Sequence, residues 1–296
     1  MPGYPFMQVD AFTERPLGGN PCAVLFDTDE LDSDVMLAIA KENNLSETAF
    51  VRSSQKADFA ALYFTPAMEI PFAGHPTLAT AYALIESGRW ESGGEPFEIT
   101  LELRVGVITV EVKYKQNKIQ QLVMVQRKPE FLRMYEPRAV LPVFGLTSTD
   151  LLPGGLIQTV STGTPQLMIP LKDQNALRRI QLDIEEYRQL RQDGDFFSPH
   201  LFCLSGATGD GHTFARHLDI PPDLPEDPFT GSATGGMAAY LWRYGLIEQP
   251  RFVAEQGHWM GRPGKAWVEV VGARENIQAI RVGGNAVTVV RGEFYI

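Results

Sequence analysis

EIPFAGHPT, at residues 69–77, recurs as EDPFTGSAT, at residues 226–234, a shift of 157 positions. The match stays in phase beyond the motif. It pairs Ala81 with Ala238, Leu84 with Leu241 and Gly88 with Gly245, giving eight identities in twenty positions. Two weaker echoes accompany it. GNPCAVLF at 19–26 is answered by GTPQLMIPL at 163–171, and VEV at 110–112 by VEV at 268–270, one residue out of phase. A period this long is no solenoid unit, which would span about 20–50 residues. It describes two similar domains in one chain, and a length of 296 residues agrees with two domains of ordinary size.

Both copies of the motif run into helix-like segments. Residues 76–87 (PTLATAYALIES) precede Gly88, and residues 233–244 (ATGGMAAYLWRY) precede Gly245. Each glycine suits a left-handed C-terminal cap. Pro76 stands where the first helical position is expected. Both segments are apolar or small on nearly every face, the pattern of a buried helix. Short runs rich in Val, Ile, Phe and Thr, broken by Gly, Pro and Asn, fill most of the remaining chain and read as strands. The economical architecture is α+β: two pseudo-symmetric domains, each a curled, mostly antiparallel, barrel-like sheet around a central buried helix. Two further helices are expected, one at 34–41 with Ser33 as N-cap and one charged, amphipathic surface helix within 177–191. The turn around Gln116 and Asn117 is the candidate boundary. The tail after Gly284 reads as one extra strand returning to the first domain. The expected domains are therefore 1–117 plus 285–296, and 118–284, with the active site in the cleft between them.

Composition narrows the function classes. Lys and Arg number 26 against 36 Asp and Glu, a formal charge of −10, which argues against nucleic acid or an anionic membrane as partner. No apolar run is long enough to span a bilayer, and the first residues lack a signal-peptide pattern, so a soluble cytoplasmic protein is expected. Cys22 and Cys203 lie in apolar strand-like runs and read as buried structural cysteines. The five histidines show no zinc-type spacing and no cysteine cluster accompanies them, so no metal is expected.

The chemistry concentrates at the repeated loops. Gly74-His75-Pro76-Thr77 and Gly231-Ser232-Ala233-Thr234 place backbone N–H groups at helix starts, where the helix dipole favours a carboxylate or phosphate. The bland alternative is a pair of capping loops in which Thr77 and Ser232 satisfy their own backbone. Neither loop is a Walker A or dinucleotide fingerprint, which argues against nucleotides. The copies differ where function would differ: His75 stands opposite Ser232, and Ile70 opposite Asp227. Glu47, in NNLSETAFV, sits at a helix-to-strand junction, where a glutamate is either solvated or functional.

At these residues the chain closely resembles the PhzF-like family of phenazine-biosynthesis isomerases. The resemblance is carried by QVDAFTERPLGGNPCAV (8–24), NLSETAF (44–50), FTPAMEIPFAGHPT (64–77), EDPFTGSATGG (226–236) and EQGHWMGRPG (255–264). It implies the diaminopimelate-epimerase fold, with the active site between two similar domains. It implies Glu47 as the acid–base residue, with His75, Asp227 and Ser232 beside it. Asn20, Gly74, Pro76, Gly231, Ala233 and Thr234 are the expected substrate-binding positions. Diaminopimelate epimerase and proline racemase carry cysteines at the loop positions held here by His75 and Ser232, so two-thiolate chemistry is excluded. The resulting expectation is an isomerase that moves a proton between carbons of a small carboxylate, without metal or organic cofactor; the resemblance also implies a homodimer. A racemase using Glu47 and Asp227, a lyase, and a non-catalytic carboxylate-binding protein are the alternatives.

Overall fold

The computed structural model describes residues 2–91, 97–115 and 118–296. Its first half contains β1 (Gly3–Ala11), β2 (Asn20–Leu25), α1 (Ser33–Asn43), β3 (Glu47–Arg52), β4 (Phe59–Phe64), β5 (Glu69–Ile70), α2 (Gly74–Glu86), β6 (Phe97–Leu103), β7 (Gly106–Lys115) and β8 (Lys118–Gln126). The second half opens with β9 (Glu130–Tyr135), α3 (Pro137–Val140), β10 (Ile157–Ser161), β11 (Pro165–Pro170), α4 (Gln174–Arg178) and α5 (Ile184–Asp193). It continues with β12 (Ser198–Cys203), β13 (Thr213–Leu218), β14 (Glu226–Asp227), α6 (Gly231–Arg243), β15 (Arg251–Gln256), β16 (Gly264–Ala273) and β17 (Asn276–Gly284). The last strand, β18 (Ala286–Tyr295), pairs antiparallel with β1.

The repeat is now visible as topology. The first sheet runs β18-β1-β2-β3-β4-β6-β7-β8. The second runs β9-β10-β11-β12-β13-β15-β16-β17, the same order shifted by nine strands. The parallel pairs fall at matching places, β2–β3 and β4–β6 in one half, β11–β12 and β13–β15 in the other. A parallel pair needs a crossover, usually helical. Here α1 and the α4–α5 segment make one crossover in each half, and α2 and α6 make the other. β8 pairs with both β7 and β17, so the eighteen described strands join into one continuous sheet.

Alternation along the strands decides which helix lies on which face. Val24, Ala49 and Tyr63 belong to the core that surrounds α2, whereas their neighbours Leu25, Phe50 and Phe64 pack on Met36 and Ile39 of α1. The second half repeats this. Met168, Phe202 and Ala215 face α6, and Leu167, Leu201 and Phe214 pack with Leu177 and Tyr187 of α4 and α5. The curled sheets leave room only for slender helices. A side chain at Gly235 of α6 would put its Cβ 1.8 Å from Gln126 Oε1.

Several local expectations shift. The N-cap of α1 is Asp32, which accepts from the Val35 amide, because the helix begins at Ser33 itself. The stretch 177–191 is two helices, since Asp183 caps a new one by accepting from the Glu185 and Glu186 amides. Helix α2 starts at Gly74, so Pro76 is its third residue. It is tolerated there because the first amides of a helix have no intrahelical acceptor. Gly88 and Gly245 do adopt positive φ, +71° and +67°. The turn around Gln116 and Asn117 lies outside the described residues. Among the described residues no helix is long and apolar enough to cross a membrane.

Candidate active site

The two repeated loops meet head to head. A Cβ on Gly74 would lie 2.5 Å from the Ser232 backbone nitrogen, so the N-termini of α2 and α6 touch through backbone alone. Neither N-cap residue, Ala73 or Thr230, bonds its own helix through a side chain. Thr77 and Thr234, matched in the repeat, donate backwards to the carbonyls of Ala73 and Thr230 at 2.7 and 2.9 Å. These hydroxyls therefore serve carbonyls, and the first-turn amides carry no side-chain cap.

Asn20, the first residue of β2, ties the halves together and is fully buried. Its Nδ2 lies 2.7 Å from Asp227 Oδ1, 2.8 Å from the Phe229 carbonyl and 2.9 Å from His75 Nδ1. Two amide hydrogens are shared among these three acceptors, and because an amide nitrogen offers no lone pair to a ring N–H, His75 Nδ1 faces it bare and the ring hydrogen sits on Nε2. That Nε2 is 3.3 Å from Glu47 Oε2. The approach is off the hydrogen-bonding line, and both atoms are buried without another partner. Burial pushes the His75 pKa down to about 4, against the opposing pull of Asp227, so the ring is neutral near pH 7. Burial pushes Glu47 well above the usual carboxylate range, reinforced by Asp227, Asp223 and Asp219. Asp227 is itself held: Oδ2 accepts a short hydrogen bond from Thr230, and its backbone carbonyl accepts from Gln256 at 2.7 Å.

These groups surround a cavity of about 60 Å³ between the halves. Glu47, Asp227 and Ser232 line it, with Ala73 and Thr230 from the helix caps and Gln166, His217, Asp219 and Asp223 from the second half. Asn20 and His75 stand directly behind this lining. Gly74, Pro76, Gly231, Ala233 and Thr234 are buried at the helix starts and are not part of the cavity wall. Such a volume admits about two waters, well short of the ~300–1,000 Å³ of ordinary ligand sites. The described conformation is thus contracted around these groups.

Several positioning residues were invisible in the sequence. Arg262 crosses from the second half to Asp10 Oδ1 at 2.8 Å and to the carbonyls of Gly18 and Gly19 at 2.9 and 3.0 Å, fixing the turn that delivers Asn20. Gln126 donates to the Gly231 carbonyl at 2.8 Å. Phe12 stacks on Phe229 across the halves with centroids 4.3 Å apart. Each sits in a motif quoted above or in a plain strand, with nothing in residue type to single it out.

One ligand atom from each of Glu47, His75 and Asp227 lies within 4.8 Å of the others, a spacing that brings a divalent cation to mind. The donors do not suit one. Both Asp227 oxygens already accept hydrogen bonds, from Asn20 and Thr230, which leaves one carboxylate and one imidazole nitrogen for a sphere of four or more ligands.

Comparison with known proteins finds relatives along almost the whole chain. The family model described as phenazine biosynthesis-like protein (PhzC-PhzF) matches residues 9–292. A Bacillus subtilis protein described as an uncharacterized isomerase, YfhB, is 33% identical over 95% of both chains. The trans-2,3-dihydro-3-hydroxyanthranilate isomerase of Pseudomonas aeruginosa is 32% identical over 98% of this chain and 99% of its own. The crystal structure of a PhzF-family phenazine biosynthesis protein from Bacillus anthracis superposes with a TM-score of 0.87 at 30% identity, covering both chains fully. A hydroxyproline epimerase from Agrobacterium vitis shares the fold, with a TM-score of 0.66 at 13% identity over 98% of this chain and 92% of its own.

Proposed function

This chain belongs to the phenazine biosynthesis-like family, and on that footing we propose that it is an isomerase that moves a proton between two carbons of a small carboxylate substrate, with Glu47 as the acid–base group. The observation that carries the proposal is Glu47 itself. It is a largely buried carboxyl group lining a narrow cavity, with its ionised form disfavoured by burial and by three nearby aspartates. A base raised towards neutrality is matched to taking a proton from carbon.

In this reading the halves part to admit the substrate, then close. The substrate carboxylate lies at the uncapped starts of α2 and α6, where amides and helix dipoles favour an anion. Ser232 orients it. Ionised Glu47 removes a proton from an sp³ carbon next to an unsaturated system conjugated to the carboxylate, and the electron pair spreads over that system. The protonated Glu47 then returns the proton at another carbon, so a double bond moves and the atoms balance. His75, neutral with its hydrogen on Nε2, steadies the Glu47 carboxylate. Asn20 and Asp227 hold that ring in place. Positioned acid–base catalysis contributes about 10²–10⁴-fold, and orientation and preorganised electrostatics supply the rest.

Asp227 is the group a two-base racemase would need opposite Glu47, yet both of its oxygens are committed to Asn20 and Thr230. That favours one mobile proton on one carboxyl. The test is incubation in D₂O with a panel of unsaturated cyclic carboxylic acids, including trans-2,3-dihydro-3-hydroxyanthranilate, read by NMR. Deuterium at a shifted carbon supports the isomerase. Deuterium at an inverted stereocentre with no double-bond movement would replace it with a racemase.

A further inference from the structure

Gln166, the second residue of β11, is 3% exposed and lines the cavity. Its orientation is unambiguous. The Ser198 backbone N–H, which can only donate, lies 3.2 Å from Oε1, and the Ser198 hydroxyl lies 3.0 Å from the same atom. The oxygen therefore points at Ser198, and the –NH₂ end has no acceptor among the described residues. The register explains why the two meet: Gln166 stands opposite Ser198 in the β11–β12 pair, as Cys22 stands opposite Glu47 in β2–β3. Gln166 and Ser198 thus occupy the pseudo-symmetric counterparts of Cys22 and Glu47, and Gln166 lines the same cavity as the catalytic carboxyl.

A buried histidine pair locks this arrangement. The Ser198 hydroxyl hydrogen goes to Gln166, so Ser198 Oγ accepts from His217 Nε2 at 2.7 Å. His217, neutral, then accepts at Nδ1 from His200 Nδ1, 3.3 Å away. Every hydrogen in the chain points from His200 towards Gln166, and burial keeps both rings uncharged. Asp219 follows β13 on the far side of β12 and lines the same cavity at 9% exposure. Its Oδ1 accepts from Arg191 at 3.1 Å and from the Ile220 amide at 3.0 Å, and its Oδ2 has no donor among the described residues.

We infer that Gln166 and Asp219 form a hydroxyl-binding subsite. The Gln166 –NH₂ donates to a substrate hydroxyl oxygen, and that hydroxyl donates to Asp219 Oδ2. A hydroxyl is the group that accepts one hydrogen bond and makes one; an ammonium has no lone pair for Gln166, and a methyl satisfies neither partner. The inference rests on the isomerase reading and adds to it a specificity determinant. Ser198, His217 and His200 are positioning residues that hold the carboxamide by its oxygen.

The test uses calorimetric binding of two probes, 3-hydroxyanthranilate and anthranilate, to wild type, Gln166→Met and Gln166→Glu. Wild type is expected to bind the hydroxylated acid about tenfold more tightly, as one buried polar contact pair allows. Gln166→Met removes that preference while leaving the anthranilate affinity within about twofold. Gln166→Glu keeps the size and the Ser198 bond and offers a donor only while its carboxyl holds a proton, so its preference is lost as pH rises. Equal weakening of both probes in Gln166→Met, or a preference that survives both variants, overturns the subsite. Equal affinity of wild type for the two acids overturns it while leaving the isomerase reading standing. Failure of wild type to bind either acid counts against both.

Discussion

The Asn20 amide is the joint on which the site is hung, and replacing it with a carboxyl of the same shape tests that directly. Asn20→Asp swaps a donor for an oxygen 2.7 Å from Asp227 Oδ1, 2.8 Å from the Phe229 carbonyl and 2.9 Å from His75 Nδ1. With both carboxylates charged, their repulsion at that separation is about 6 kcal/mol at an effective dielectric of about 20. The alternative is that the introduced carboxyl keeps its proton. Relative to an unfolded pKa of about 3.9, that costs about 1.5 kcal/mol at pH 5 and about 6 kcal/mol at pH 8. A protonated carboxyl restores one donor where the amide had two, which forfeits a further ~1 kcal/mol at any pH. The folded pKa of the new group is raised, so the stability it retains is complete below about pH 4 and is lost as pH rises. Urea unfolding of variant and wild type side by side should show a deficit of about 2–3 kcal/mol at pH 5, growing to about 6–7 kcal/mol at pH 8. A deficit that stays constant between these pH values would refute the arrangement of donors assigned to Asn20.

Three further predictions follow from the same geometry. Gly74→Ala drives a methyl group into the Ser232 and Gly231 backbone at 2.5–2.7 Å and should wedge the halves apart, lowering kcat/KM about 100-fold or more; Gly88→Ala, with φ of +71° and nothing within 4 Å, should lose about 1 kcal/mol of stability and keep its activity. Asp219, lifted by burial to about 7 and only 9% exposed, opposes folding as pH climbs from about 4 through 7, by an amount on the order of 4 kcal/mol; Asp219→Asn should raise Tm above wild type at pH 8 with the gain fading by pH 5, and a gain equal at both pH values would contradict the assignment. Cys22 and Cys203 are 0% and 1% exposed, and burial pushes both thiols up, so labelling by a disulfide reagent at pH 8 should be slow in the native protein and rapid in urea.

Much of the architecture was legible because the repeat is a topological statement. Two copies of a glycine loop leading into an apolar, small-residue helix already imply two curled sheets with buried crossover helices. The weak echo of GNPCAV in GTPQLM holds more than it first suggests, since it aligns Cys22 with Gln166 and so locates a cavity residue. Ser198 could not be found that way: ETAFVR and SPHLFC, aligned with Glu47 opposite Ser198, share no residue, and only strand register shows that the two are counterparts. The helix starts were misplaced by two residues because Pro76 suggests a first position, whereas contact between the two loops requires Gly74 and Gly231 to come first. The single helix expected across 177–191 failed at Asp183, whose side chain competes for backbone amides and starts a new helix. The roles of Asn20, Arg262 and Gln126 depend on partners more than 100 residues away, and no local pattern announces such contacts.

The central claim is that one carboxyl, Glu47, carries the proton. The most direct measurement is solvent deuterium incorporation into a turned-over substrate by wild type and by Glu47→Gln, with ligand affinity measured in parallel. The account predicts deuterium at the shifted carbon with wild type, and loss of both exchange and turnover in Glu47→Gln while binding stays within a few fold. Exchange at the wild-type rate in Glu47→Gln would contradict it and assign the chemistry to another group in the cavity.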